Sequence, residues 1–534
     1  MKSIKYILAG VTLATTLFGG ISLTSCSDLD EQAYTFIDPS SFYNNKEEIN
    51  ATLTGVYNRF RNLYNRNSQL YLAQIELLTE QGVPTYNKNN MELINKWDGA
   101  TNPSASNGVH TVWKSVYETV NRANIVLGRS ENIDMDKADL DAIRGQAYFL
   151  RGYSFFHGLR CFGALALPLT YTNGLDGLEI SRSTIGETYD QIISDLKMAE
   201  ELLPKRGTTG YEVWRASKGA AQAALGEVYL YRASMADING ESAKQTDYYT
   251  EARDWSHKVI ESQVYDLMED YCDQYFWFNE TGGKNCKESI FELQYANADK
   301  QNNDMHIRFG LGRSYSNFFG TYMYARMGVS PYIYKEMVAN GDKRAKVFLT
   351  YFTENDGTAH TFDTRTMHWV PAITNDRNVE HTCVFNCKYF DQHTDGSLNR
   401  PNANFPIIRY AEVLLNYAEA ANHIQAGQGL AELNQVRNRA GLGNYRGNDI
   451  DEEIFQQRRY EFVGEGKIFY DELRRGVLDQ YSAQKIANGY ADKLSYFDQP
   501  EPLFKPQQDY LFPIPQSDLD SNSALVQNPT PTSK

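Results

Sequence analysis

Trp97, Trp277 and Trp369 fall in stretches of this 534-residue chain where helical periodicity fails. Trp97 has Asn89, Asn90, Lys96 and Asp98 around it and Tyr86 upstream. Trp277 sits in Tyr275-Phe276-Trp277-Phe278-Asn279, the densest aromatic cluster of the sequence. Indole faces beside amides and carboxylates suit non-covalent recognition: the ring takes an apolar face and the rim fixes orientation. Four consecutive aromatics cannot all turn inward from one short loop, so at least one ring is expected in a ligand site. The alternative is a satellite hydrophobic cluster beneath the loop. Trp113, Trp214 and Trp255 lie on or beside helical stretches and are expected in the core.

Covalent chemistry finds less support. Glu419, Glu461 and Glu465 invite comparison with a hydrolytic carboxylate pair, which must straddle a cleft. They lie instead on helical stretches rich in arginine, where ion pairing accounts for them. No nucleophile-elbow, zinc-protease, Walker or dinucleotide motif is present. Cys272 and Cys286 flank the aromatic cluster, and a disulfide there would clamp the loop in an oxidising compartment. Connectivity cannot be read from sequence, so two free thiols remain the alternative. Cys383 and Cys387 lie near His381 and His393, but their spacing fits no standard zinc finger. A second disulfide or free thiols explain them better, and Cys161 reads as a core filler. Asn302-Asn303-Asp304 and Glu354-Asn355-Asp356-Gly357 lack the EF-hand register and read as turns. The chain is therefore expected to be a binding protein with no catalytic residue, cofactor or metal.

These side chains need a frame, and the sequence supplies helices. Residues 407–476 carry three: one marked by Leu414, Ala418 and Ala421, one by Leu430, Leu433 and Ala440, and one opening at Asp449 and running to about Gly464. Gly441 is placed as a left-handed helix stop. The third helix puts Arg458, Glu461 and Glu465 on its inward seam, so partners are required, and Arg437, Arg439, Arg474 and Arg475 are near in sequence. Upstream, helices are expected at about 47–64, 70–78, around Trp113–Leu127, 141–161, 185–203, 215–233 and 249–260. Thr184 and Glu187 form a capping box, and Gly145, Ala147, Gly152 and Ser154 leave room for close helix approach. Consecutive helices of similar length with short turns suggest stacked tetratricopeptide-like hairpins, although no strict repeat consensus is visible. Residues 82–108 form a long loop, of the kind that usually carries function. Residues 265–405 are rich in Gly, Asn and aromatics, and irregular structure with short strands is expected there, Ser289–Leu293 being one. From Tyr481 on, the tail is expected to be irregular and extended.

The net charge of -15 argues against nucleic acid or anionic lipid as the main partner. At the N-terminus, Lys2 and Lys5 precede a short apolar run ending in Leu23-Thr24-Ser25-Cys26. That pattern resembles a lipoprotein signal whose cleavage leaves an acylated Cys26, an ordinary secretory signal being the alternative. Ser27-Asp28-Leu29-Asp30-Glu31 then resembles the acidic surface-export tether of Bacteroidetes lipoproteins.

Taken in order, Arg122-Ala123-Asn124, Ala147–Gly152, Ala199–Pro204, Arg409–Ala420, Val436–Leu442, Pro513-Ile514-Pro515 and Gln527-Asn528-Pro529 resemble the SusD/RagB family of outer-membrane nutrient-binding lipoproteins. The resemblance spans nearly the whole mature chain. It implies a mainly α fold, a SusD-like superhelix of tetratricopeptide-like hairpins with a large irregular mid-chain insertion and short β segments. It divides the chain into a signal peptide (1–25), a lipidated tether (26–39) and one domain (40–534). Within that domain the frame is expected at about 40–264 and 406–476, the insertion at 265–405 and the tail at 481–534. It implies a lipid-anchored, surface-exposed protein that binds oligosaccharides and delivers them to a SusC-like TonB-dependent transporter. A peptide-binding RagB-like role, or a tetratricopeptide adaptor without a small ligand, are the alternatives. Ligand aromatics in the family come from an early loop and the mid-chain insertion. The expected ligand residues are therefore Tyr86, Asn89, Trp97, Asp98, Tyr275, Phe276, Trp277, Asn279 and Trp369.

Overall fold

Helix α1 (Lys46–Arg61) begins at Asn45, whose side chain accepts the Glu48 N–H, with Glu47 and Glu48 against the positive end of the helix. The computed structural model describes residues 43–64, 75–84, 107–172, 179–275, 283–296, 327–354, 356–374, 380–390, 403–485 and 511–528. Of the helix expected at 70–78, residues 75–78 lie among them, helical at 75–77, and β1 (Gly82–Pro84) follows. The frame continues with α2 (Asn107–Arg129), α3 (Lys137–Phe162), α4 (Ile185–Leu202), α5 (Lys218–Ser234) and α6 (Gln245–Glu261), each packed on the next. The capping box forms as expected, the Thr184 hydroxyl accepting the Glu187 N–H and the Glu187 carboxylate accepting the Thr184 N–H. Helix α5 starts three residues later than the periodicity suggests, because Ser217 takes the cap and accepts the Ala220 N–H.

Helix α3 is buried on nearly every side from Ile143 onward. Its small residues do what the sequence suggests: a Cβ on Gly152 would come within 2.9 Å of the Asp195 side chain on α4. The same close approach lets Arg151 reach across, donating to Asp195 at 2.8 and 2.6 Å and to Asn124 on α2 at 2.7 Å. A buried guanidinium is tolerable only when its donors are satisfied this fully.

The insertion leaves the frame through β2 (Ser289–Leu293), the strand read from the sequence, and contains β3 (Met327–Val329), α7 (Pro331–Ala339), β4 (Phe348–Leu349), β5 (Tyr351–Thr353), β6 (Ala359–Asp363), β7 (His368–Val370) and β8 (Phe385–Asn386). It returns through β9 (Phe405–Arg409), antiparallel to β2 with Leu293 opposite Phe405. Strands β5, β6 and β7 form a small sheet whose inner face (Phe352, Phe362, Trp369) packs on Phe385, Ile333 and Met337. Because β9 pairs back with β2, α8 (Tyr410–Ile424) lands against α6 and α5, far from it in sequence.

Helix α9 (Leu430–Arg439) ends before Gly441, which takes a φ of +82°. Helix α10 (Ile450–Glu461), capped by Asp449, stops at Glu461, short of the expected Gly464. Next come α11 (Ile468–Arg474), α12 (Leu478–Lys485) and α13 (Gln516–Ser521), so the described part of the tail holds two short helices where irregular, extended chain was expected. Around α13 the tail is pinned to the end of α3. Phe512 N–H donates to the Cys161 carbonyl, and the Asn528 amide donates to the Phe162 and Phe512 carbonyls.

Candidate ligand-binding site

The inward charges of α10 find partners, though most come from outside the stretch that holds them. Glu461 accepts from Arg439 at 2.6 Å, Arg409 at 2.8 Å and Arg344 at 3.0 Å. Glu465 accepts from Arg409 at 2.9 Å and Lys388 at 2.6 Å. Arg409 also reaches Glu288 at 2.8 Å. All these side chains are buried. Burial alone would raise the Glu461 carboxyl, but Arg439, Arg409 and Arg344 outweigh it and hold it well below the usual range. Of the four arginines expected to serve this seam, Arg439 reaches Glu461, whereas Arg474 pairs with Glu419 and Asp471. Arg475 goes to Asp451 and Arg437 to Glu453, while Arg458 donates to Asp471 and Asn416. The network therefore joins α10 and α9 to β2, β9 and the insertion. Glu419, Glu461 and Glu465 are all engaged by cations, and none faces another across a cleft.

Above this network the strands gather the ends of the segments that carry the aromatics. In the β1–β3 pair Pro84 lies opposite Met327, so the described ends beside 85–106 and 297–326 are neighbours. Beyond β2–β9 the Tyr295 N–H donates to Asn404 Oδ1 at 3.0 Å, joining the ends beside 297–326 and 391–402. At 276–282 the two ends abut: a Cβ on Gly283 would lie 1.8 Å from the Gln274 carbonyl oxygen, a separation only glycine permits. Val83, Val329 and Tyr275 belong to one hydrophobic cluster, the core of the insertion.

Between the ends beside 276–282 and 391–402 runs a narrow crevice of roughly 370 Å³, counting its open mouth, lined by Gln274, Tyr275, Gly283, Lys284, Glu292, Asn404 and Arg409 among others. Beside it, reached through Asn404 and Glu292 of its wall, lies a strip of amides. Asn285 and Gln294 exchange hydrogen bonds at 3.0 and 3.1 Å, and Asn404 donates to Gln294 at 2.9 Å and to Glu292 at 2.7 Å. Burial raises the Glu292 carboxyl even though Asn404, Ser289 and Asn285 donate to it. Because these amides satisfy one another, the strip is a stiff support and leaves few free donors for a ligand.

Two expected ligand residues are buried, Trp369 in the core and Tyr275 where it also lines the crevice. Trp369 is only 1% exposed, its ring edge-on to Phe352 and Phe362 and its N–H donating to the Cys383 carbonyl at 2.9 Å. The alternation of β7 turns it to the packed face of the sheet. Tyr275 is 4% exposed and its hydroxyl donates to Glu465. Tyr86, Asn89, Trp97, Asp98, Phe276, Trp277, Asn279 and the lipidation residue Cys26 lie outside the described residues. Trp113 and Trp255 are buried as expected, while Trp214 is half-buried under Arg215.

Among the described residues, the cysteines form no disulfide. Cys272 and Cys286 are both free, which replaces the expected disulfide: Cys272 faces the hydrophobic cluster of the insertion, whereas Cys286 lines the crevice. Cys383 and Cys387 are buried free thiols, and His393 lies outside the described residues. Among the described residues, the group within metal-ligating reach is Glu419, His423 and Asp451. Arg474 and Arg475 already hold its carboxylates, so a cation there would face two guanidinium groups.

Sequence reasoning missed Arg409, Lys388, Arg344 and Glu288, which complete the ion network. Arg409 did carry a signal, as the one charge in the apolar strand Phe405–Arg409. The others are recognisable only once the insertion is folded back.

Two family models match the chain. One, described as the SusD family, covers residues 287–530, and the other, described as starch-binding associating with outer membrane, covers residues 29–230. A SusD-like protein of Formosa agariphila is 25% identical, over 98% of this chain and 99% of its own. One from Bacteroides ovatus is 23% identical, over 98% and 97%. Among solved structures, a SusD homolog from Bacteroides thetaiotaomicron superposes with a TM-score of 0.74 at 22% identity, covering 91% of this chain and 97% of that one. Surface glycan-binding protein A of the same organism, solved with laminarihexaose, gives a TM-score of 0.70 at 21% identity over 91% and 100%. No described helix is long and apolar enough to cross a membrane. The helical frame, the strand-closed insertion and both family models agree: the chain is a member of the SusD/RagB family.

Proposed function

We propose that this protein binds oligosaccharide nutrients at the cell surface, held to the outer membrane through an acylated Cys26, and delivers them to a SusC-like TonB-dependent transporter. The observation that carries the reading is the convergence of strand junctions. The two ends of the segment holding Trp277 and the end beside 391–402 line one crevice over a rigid ion-paired base, and the end of the segment holding Trp97 pairs with the strand that follows 297–326. Aromatic faces supplied from such a base lose little entropy on binding. Binding rather than hydrolysis fits the carboxylates, since Glu419, Glu461 and Glu465 are each neutralised by cations. Two relatives are described as laminarin-binding or as complexed with laminarihexaose, and one family model as starch-binding, which makes β-glucan and starch oligosaccharides the first probes.

Isothermal titration of the parent, Trp97→Ala and Trp277→Ala with laminarihexaose, maltohexaose and a peptide library tests this. The reading expects one glycan to bind and at least one variant to lose affinity roughly tenfold or more while remaining folded. Binding of peptides alone, or unchanged glycan affinity in both variants, would overturn the cargo or the site respectively.

A further inference from the structure

Arg206 lies in the linker between α4 and α5, and its guanidinium reaches into the insertion. It donates to the Ser289 carbonyl at 2.6 Å, the Asn285 carbonyl at 2.7 Å and the Cys286 carbonyl at 3.2 Å. The Tyr265 ring lies beneath it at 5.4 Å. From the other side the Asn285 N–H donates to Glu292 at 2.9 Å and its amide exchanges bonds with Gln294, so Arg206 supplies the hold from the helical frame. Asn285 adopts a φ of +52°, a left-handed conformation that asparagine takes more readily than other residues with a Cβ. Carbonyls that converge on one point repel unless a cation or donors lie between them. The same turn starts at Gly283, fixed against Gln274, and supplies Lys284, Asn285 and Cys286 to the crevice region and amide strip.

We propose that Arg206 is a positioning residue of the binding region, a latch by which the helical frame sets the Gly283–Ser289 turn, and with it the crevice rim, in its ligand-ready geometry. The proposal rests on the oligosaccharide reading for the ligand, but the latch itself can be tested without one. A guanidinium presents a planar fork of donors that an ammonium cannot reproduce, so Lys should hold the turn only in part.

Cys286 reports on the turn directly. Its thiol is half-buried, and burial pushes it up to about 11, so it should react slowly in the parent. The experiment compares the parent, Arg206→Ala and Arg206→Lys in the full chain. Iodoacetamide labelling of Cys286 is followed by peptide mass spectrometry, with the buried Cys161 as internal control, alongside titration with laminarihexaose and maltohexaose. Losing charge-assisted bonds to the turn should speed Cys286 labelling roughly tenfold or more in Arg206→Ala, with an intermediate rate in Arg206→Lys and Cys161 unchanged. Affinity for whichever glycan the parent binds should fall in the same order. A Cys286 rate within twofold of the parent overturns the latch. Faster labelling at unchanged glycan affinity overturns the positioning role. If the parent binds neither glycan, the oligosaccharide reading fails while the labelling result still decides the latch.

Discussion

Glu76 offers a test of how the insertion is anchored. It stands just before β1, is 2% exposed, and accepts the Gly466 N–H at 2.5 Å beside the buried Lys388 and Glu465. Burial pushes its carboxyl from 4.5 up to about 7, against the Gly466 and Gly464 N–H groups and Lys388, which favour the charge. The folded pKa is raised, so the folded state binds a proton that the unfolded chain has released. Stability from this group is therefore complete below about 4.5, falls as the pH rises to about 7, and is level above that. The loss at high pH corresponds to about 3 kcal/mol. Glu76→Gln keeps an oxygen for the Gly466 N–H and cannot ionise. Urea unfolding of parent and variant near pH 4 and near pH 8.5 should give similar midpoints at the acid end. At the alkaline end the variant should be more stable, by up to about 3 kcal/mol. A pH-independent difference between the two proteins would refute the reasoning, because the charged state of Glu76 would then carry no penalty in the fold.

Trp369→Ala removes a fully packed ring and should cost about 3–5 kcal/mol in unfolding experiments, while glycan affinity of the folded protein stays at the parental level; a selective loss of affinity would return Trp369 to the ligand site. Glu461→Gln leaves Arg409, Arg439 and Arg344 short of one buried carboxylate, and chemical denaturation should register a loss of about 3–5 kcal/mol. Parental stability in that variant would mean the network contributes only geometry.

Much of the frame was legible because its signals are local. The Thr184–Glu187 capping box, the Asp449 cap, the stop at Gly441 and the small residues of α3 each act within a few positions, and all appear as read. The start of α5 and the end of α10 moved by a few residues, since caps and glycines compete closely at helix ends. The failures share another character. Trp369 and Tyr275 look like loop aromatics in a linear string, yet strand alternation and one hydrogen bond to Glu465 send them inward. Cys272 and Cys286 bracket the aromatic segment but face different surroundings.

The sequence by itself determined the class of scaffold, the helices, the strand Ser289–Leu293 and the demand for cationic partners along α10. Only tertiary structure decided which cations answer that demand, which rings remain for a ligand, and that Arg206 reaches across to the turn at Asn285. The reason is physical: helix periodicity and capping depend on neighbours a few residues away, whereas burying a charge or a ring depends on groups brought together from more than a hundred positions apart, such as Arg344 and Glu461.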